Sequence, residues 1–370
     1  GTYFLRFESK YKNSIHCYQS KLRRLKDLQT ARIFTLISTE ENHFQKFIES
    51  FSNCRQLSSI GISLYKEDIT MQASFFKFLT KIIKLDHLTV EYRRNGHNFG
   101  KNSHNALLSF LESHKPLKKL EFYEKIDFRN GHSIGISKGS RQKIEHIDTL
   151  TLHLPIFSSS MGSKSDCLTD FLRYFGRLNA LKLEIYPMKY QFWSIVPKMV
   201  SKIEGLRELG IKTSLQRNNL SEFFRSLNLK NLTKVHLLFP LVYWTDAHDS
   251  NFGSLFGFLK SQTALENLSI VFSNGISKEI VDGLSHILTA FEIKEILFHA
   301  SLEESPLKCK DSLEWIARKC RAEFLDLKVA YPQYRECKNF LTELGALISQ
   351  NQLINSYVYN YGNIKIETTF

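Results

Sequence analysis

The octapeptide LSSIGISL at residues 57–64 decides how this chain is read. Leu57, Ile60 and Ile62 are apolar at its first, fourth and sixth positions, and Leu64 continues the alternation that sends successive side chains to opposite faces of a strand. The same apolar-x-x-apolar-x-apolar spacing is read from Ala31, Leu85, Leu117, Ile147, Leu178, Leu206, Leu232, Leu265, Ile293, Ala322 and Leu353. Successive starts average about 29 residues apart, the range in which a period marks a repeated supersecondary unit. Three apolar positions in a chain 42% apolar coincide by chance in about 7% of windows, so the motif needs support from what lies between its copies.

Support comes from a change of period. Between the strands the apolar spacing becomes i, i+3, i+4, i+7, the stripe of a helix that buries one face. It reads Phe44-Phe47-Ile48-Phe51, Phe75-Phe78-Leu79-Ile82, Leu168-Phe171-Leu172-Phe175, Leu220-Phe223-Phe224-Leu227 and Phe252-Leu255-Phe256-Leu259. A strand and a helix alternating at this length form a unit that cannot bury its apolar face alone and must dock on its neighbours. The 29 phenylalanines suit the space between a helix layer and a sheet.

LSSIGISL (57–64), LDHLTVEY (85–92), LKKLEFYE (117–124), LNALKLEI (178–185), LRELGIKT (206–213) and LENLSIVF (265–272) resemble the LxxLxL core of leucine-rich repeats, and the full helix per unit is similar to the ribonuclease-inhibitor type. The resemblance covers roughly residues 31–360. It implies an α/β solenoid of about 12 repeats of ~29 residues, a horseshoe with a parallel sheet on its concave face and helices on its convex face. The asparagine or cysteine that such repeats carry after the motif is missing: Tyr65, Arg93, Lys125, Pro155 and Tyr186 stand there instead. The turns must therefore satisfy their backbone groups in some other way.

Two segments fall outside the plain repeat. In residues 1–30, Tyr11, Ile15, Tyr18, Leu22, Leu25 and Leu28 follow helical steps among Lys10, Lys12, Lys21, Arg23, Arg24 and Lys26. This basic amphipathic helix either caps the solenoid of residues 31–370 or docks on a partner or an anionic surface. Basic loop insertions are expected at 93–105 and 125–143. At the far end Tyr357, Tyr359 and Tyr361 share one side of the last strand.

Charge bounds the function. Of the net charge of +13, residues 1–30 contribute +5 and residues 93–143 contribute +7, leaving the remainder near neutral. Strand alternation places the x positions on the concave face: His87, Glu91, Lys119, Glu121, Tyr123, His153, Lys182, Glu184, Lys212, Lys234 and His236, with Glu208, Glu295, Asp326 and Lys328 continuing the series. Five lysines against six carboxylates is not the one-signed excess that follows a phosphate backbone. It suits a protein whose own charges alternate. The positive excess falls on Arg93, Arg94, Lys101, Arg129, Lys138, Arg141 and Lys143, which adjacent repeats should bring to one rim, a place for RNA backbone or an acidic protein.

The expectation is a non-catalytic scaffold holding a protein partner, a structural subunit of a larger assembly; the alternative is an RNA-associated subunit of a ribonucleoprotein particle. Gly131, Gly135 and Gly139 fit neither a dinucleotide fingerprint nor a P-loop. Asp246, His248 and Asp249 read as a hydrogen-bonded loop rather than a metal or acid/base cluster, and no catalytic residue, metal or cofactor is assigned. Six cysteines without CxxC spacing read as buried free thiols. The longest apolar run, Leu237 to Trp244, is far short of the ~20 residues of a membrane-spanning helix. No charged segment followed by an apolar core opens the chain, so an intracellular setting is expected, cytoplasmic or within an organelle such as a mitochondrion or a cilium.

Overall fold

The computed structural model describes residues 2–8, 30–36, 56–65, 75–77, 79–82, 84–93, 101–124, 143–154, 171–185, 196–213, 217–239, 252–302, 305–331, 337–361 and 364–369. They fall into two compact units, Gly1–Glu184 with Lys202–Gly205, and Ile185–Ser201 with Leu206–Phe370.

In the first unit the strands follow one another in chain order: β1 (Thr2–Glu8), β2 (Thr30–Leu36), β3 (Ser59–Tyr65), β4 (His87–Arg93), β5 (Lys119–Glu124), β6 (Thr149–Leu154) and β7 (Ala180–Ile185). Pairings from β1 through β6 are all parallel. Strands that neighbour in sequence and run parallel need a crossover between them, which is why each repeat spends some twenty residues returning. One such return is the helix α1 (Lys101–Ser113).

The second unit repeats the scheme with β8 (Glu208–Thr213), α2 (Arg217–Ser226), β9 (Lys234–Phe239), α3 (Gly253–Lys260), β10 (Asn267–Ile276), α4 (Lys278–Ala290), β11 (Glu292–Leu302), α5 (Lys310–Lys319), β12 (Arg321–Ala330), α6 (Lys338–Gln350) and β13 (Ile354–Tyr361). Pairing from β8 to β13 is parallel and in order. The last strand, β14 (Ile364–Thr369), turns back antiparallel along β13, a hairpin that the repeat pattern does not foretell.

The motif spacing has a direct backbone cause. The carbonyl of the residue after the motif's first position accepts two amide hydrogens from the next repeat: Ser58 from Asp86 and His87, Asp86 from Lys118 and Lys119, Lys118 from Asp148 and Thr149, and Asp148 from Asn179 and Ala180. Arg207 accepts in the same way from Thr233 and Lys234, and Thr233 from Glu266 and Asn267. Each strand therefore begins one residue later, and β3 to β10 all open two residues after the motif's first apolar position.

Motif positions one, four and six form the core. Leu85, Leu88 and Val90 are buried, as are Leu117 and Leu120, Leu206, Leu209 and Ile211, and Leu265, Leu268 and Ile270. Against them lie the buried helix-side residues Phe75, Phe76, Leu79, Leu107, Leu108, Phe110 and Leu111 in the first unit. Phe223, Phe224, Leu255, Phe258, Leu259, Ile280 and Leu284 do the same in the second. Burial of each such side chain contributes roughly 1.5–3 kcal/mol.

The register corrects three readings. Ala31 pairs with Ile60 and Ile33 with Ile62, so the motif of this strand starts at Leu28, not at Ala31. Leu325 pairs with Tyr357 and Leu327 with Tyr359, so the last motif starts at Ile354; Leu353 is 49% exposed, and position four after it is a serine. The sheet begins at Thr2 rather than at residue 31: Tyr3, Leu5 and Phe7 of β1 are in register with Ala31, Ile33 and Thr35. The expected helix at Tyr11–Leu28 lies outside the described residues. The expected insertion at 93–105 is shorter than read, since Arg93 ends β4 and residues 101–105 already belong to α1.

Three of the turns that lead into a motif are satisfied by a buried polar side chain. His114, Gln262 and Asn351 each stand three residues before a motif, at Leu117, Leu265 and Ile354, and all three are buried. His114 Nε2 meets the Leu85 carbonyl at 3.0 Å while its ring stacks on Phe110. Gln262 accepts from the Leu232 amide and donates to the carbonyls of Leu229 and Phe258. Asn351 donates to the carbonyls of Ala317 and Cys320 and accepts from Leu353. Burial lowers the His114 pKa, which keeps the imidazole neutral in its turn.

Candidate functional site

The x positions of the strands face away from the helices, as alternation requires. In β9 the burial alternates strictly, Val235, Leu237 and Phe239 inside and Lys234, His236 and Leu238 more open. In β12 the same division puts Leu325, Leu327 and Val329 inside and Phe324, Asp326 and Lys328 outside.

In the first unit these open positions join into one network across β3 to β7. Ser59 Oγ lies 3.2 Å from His87 Nδ1, and Thr89 Oγ1 lies 3.3 Å from His87 Nε2. Thr89 also donates to Glu121 Oε2 at 3.3 Å, and Tyr123 reaches the same oxygen at 3.5 Å. Lys119 Nζ closes on Glu121 Oε1 at 2.7 Å. The His87 imidazole, 3.6 Å from the carboxylate, and the Lys119 ammonium together hold Glu121 down to about 2, overriding the burial that would raise it. The His153 ring lies flat on Tyr123, centroids 3.9 Å apart and 8° from parallel, while its Nδ1 bonds Glu184 on the next strand. Sequence alternation named His87, Lys119, Glu121, Tyr123, His153 and Glu184; the structure brings all six together.

Glu91 stands beside Tyr123 by register. Lys182 follows on β7. In the second unit Lys212, Lys234 and His236 also occupy open positions, and His236 Nε2 is 3.9 Å from Glu208 Oε1. His299 Nε2 stands 2.9 Å from Asp326 Oδ1. Every histidine that the described strands turn to this face thus meets a carboxylate on an adjacent strand.

Alternation also carries apolar residues to this face that the charge reading passed over: Leu238, Val271, Leu297, Phe324 and Val358, each partly exposed. A signal for them exists. LLF (237–239), IVF (270–272), ILF (296–298) and EFL (323–325) carry adjacent apolar residues, which in a parallel strand means that both faces are apolar.

Of the rim residues, Lys143 is exposed and its side chain passes over Gly176, where a Cβ would come within 2.9 Å of it. Arg93 ends β4 and Lys101 opens α1. Arg94, Arg129, Lys138 and Arg141 lie outside the described residues, as do Asp246, His248 and Asp249. Among the described residues no group of three or more His, Cys, Asp or Glu could hold a metal ion, and no helix is long and apolar enough to cross a membrane. Cys309, Cys320 and Cys337 are buried free thiols.

No protein-family model matches the chain, and no curated protein matches its sequence. Among solved structures, one similar to it is the yeast Rad7 and Elc1 complex, at a TM-score of 0.46 and 13% identity, covering 95% of this chain and 74% of the other. Another is the TLR13-ssRNA13 complex, at a TM-score of 0.30 and 12% identity, covering 88% of this chain and 50% of that one.

Proposed function

We propose that this chain is a divergent leucine-rich-repeat protein of the ribonuclease-inhibitor-like type, a non-catalytic scaffold that holds a protein partner within a larger intracellular assembly. The observation that carries the reading is the face of β3 to β7 on which, among the described residues, no helix lies. There Lys119 pairs with Glu121, and the imidazoles of His87 and His153 stand against the carboxylates of Glu121 and Glu184 on the next strand. Such a surface offers donors and acceptors at fixed positions without a one-signed field, which matches a protein surface better than a phosphate backbone. Lys182 extends this face on β7, and Lys212 occupies an open position of β8 in the second unit.

A second reading is supported by the crowding of nearly all net charge into residues 1–30 and 93–143. It makes the protein an RNA-associated subunit bound through the rim of Arg93, Arg94, Lys101, Arg129, Lys138, Arg141 and Lys143.

Crosslinking and mass spectrometry of the native chain with its co-purifying molecules separates the two. The scaffold reading expects one stoichiometric protein crosslinked at Lys119, Lys182, Lys212 or Lys234, and about tenfold weaker binding of it after Lys182→Glu with Lys212→Glu. Unchanged affinity in that double variant overturns it. Association destroyed by ribonuclease and falling steeply with salt establishes the RNA reading instead.

A further inference from the structure

The two units differ in what they present on the face turned away from their described helices. Both carry imidazoles facing carboxylates, His299 with Asp326 in the second, and β9 to β13 add a stripe of aliphatic and aromatic side chains. Leu238 and Val271 are side by side in register. Leu297 stands opposite Ser269, one step diagonal from Val271; Phe324 stands opposite Glu295, one step diagonal from Leu297; and Val358 is opposite Asp326, again one step diagonal from Phe324. Diagonal neighbours of this kind are about 7–8 Å apart, close enough to form one continuous surface.

The strands are parallel, and their other face is covered by α3 to α6 through the buried Leu255, Leu284, Ile316 and Leu344. Parallel strands with apolar residues on both faces are covered by helices on both. No helix of the described residues lies on this side. Five strands at about 4.8 Å span roughly 19 Å, which about 13 residues of helix cover at 1.5 Å each.

Charge gives the occupant an orientation. Along the C-terminal ends of the strands the open row reads Lys212, Leu238, Val271, His299, Lys328 and Asn360, with lysines and no carboxylate. Along the N-terminal ends Glu208 and Glu295 stand against Lys234 alone. A helix lying on the stripe meets lysines and no carboxylate along one flank, and Glu208 and Glu295 with a single lysine along the other.

We infer that this face of β9 to β13 seats an amphipathic helix of a partner protein, its apolar side on Leu238, Val271, Leu297, Phe324 and Val358 and its acidic flank toward Lys212 and Lys328. This deepens the protein-binding reading and rests on it.

The test is selection of a displayed library of random ~16-residue peptides, long enough for four helical turns, on the intact chain. The peptides retained should place apolar residues at i, i+3, i+4 and i+7, carry net negative charge, and gain helicity on binding. Leu297→Asp should weaken them at least tenfold, and the milder pair Val271→Thr with Leu297→Ser several-fold, with thermal melting of both variants confirming the fold. Lys328→Glu should weaken them at 50 mM salt and have little effect at 500 mM.

Retained peptides that are insensitive to Leu297→Asp but lost on His153→Ala with Lys182→Glu overturn this inference while leaving the protein-binding reading intact. A concentration-dependent dimer abolished by Leu297→Asp shows a second copy on the stripe and overturns it. A library from which no amphipathic peptide is retained overturns it as well.

Discussion

Gly283 lies under the ring of Phe256: a Cβ at position 283 would sit 2.1 Å from Phe256 Cε2 and 2.5 Å from Cζ. Helix α4 can therefore approach α3 only because position 283 has no side chain. A glycine inside a helix costs about 1 kcal/mol relative to alanine, so its presence here reports a steric need rather than a conformational one. Gly283→Ala should destabilise the chain by about 1–3 kcal/mol, as overpacking does. Adding Phe256→Leu, which withdraws the ring, should recover much of the loss. Urea denaturation of the two single variants and the double variant checks this, and additive losses would show that the two sites do not meet.

The buried polar side chains of the turns should be as necessary as the core. Gln262 is fully buried, and its amide serves the Leu232 amide and the Leu229 and Phe258 carbonyls at once. Gln262→Leu keeps the volume but leaves those backbone groups without a partner, at about 1–3 kcal/mol for each one left unsatisfied. Asn351→Leu should behave likewise through Ala317 and Cys320. Hydrogen exchange of the Leu232 amide should accelerate in Gln262→Leu more than that of residues in α6; uniform acceleration would mean a global effect only.

What the sequence made legible follows from what repeats. Leu88 and Val90, or Leu209 and Ile211, announce themselves because a buried strand face has period two and the backbone ladder fixes its spacing. Register is less legible where two frames both fit: Leu28-x-x-Ala31-x-Ile33 and Ala31-x-x-Phe34-x-Leu36 are equally apolar, and only pairing with Ile60 and Ile62 selects the first. The strand Thr2–Glu8 alternates Tyr3, Leu5 and Phe7, but seven residues of alternation without the preceding motif position are a weaker signal than the longer basic helical pattern after them. Alternation placed Glu184 and His153 on one face but could not make them partners, since a 31-residue offset between strands is a property of the fold.

Glu121 gives this face of β3 to β7 a measurable pH dependence. Its folded pKa of about 2 lies below the ordinary value of 4.5, so the carboxylate binds fewer protons folded than unfolded. The stabilisation from His87 and Lys119 is then fully present above about pH 4.5 and is lost progressively as pH falls through about 2. Wild type should exceed Glu121→Gln in stability above pH 5, with the difference shrinking on acidification below about pH 4.5 and nearly absent only near pH 1. Stability curves of the two proteins against pH provide the comparison; a difference independent of pH would assign the effect to packing rather than to charge.

Cys320 tests whether the second unit opens. The thiol is fully buried at the junction of α5 and β12, and burial pushes its pKa up to about 12, so it presents neither access nor thiolate to an alkylating reagent. At pH 8 iodoacetamide should modify Cys320 only through unfolding, which peptide mapping can follow separately from the other cysteines. Its labelling rate should rise with urea in step with the unfolding of β12 measured by hydrogen exchange. The destabilising Gln262→Leu should speed that labelling if the repeats of this unit unfold together, and leave it unchanged if α5 and β12 open as a separate cooperative piece.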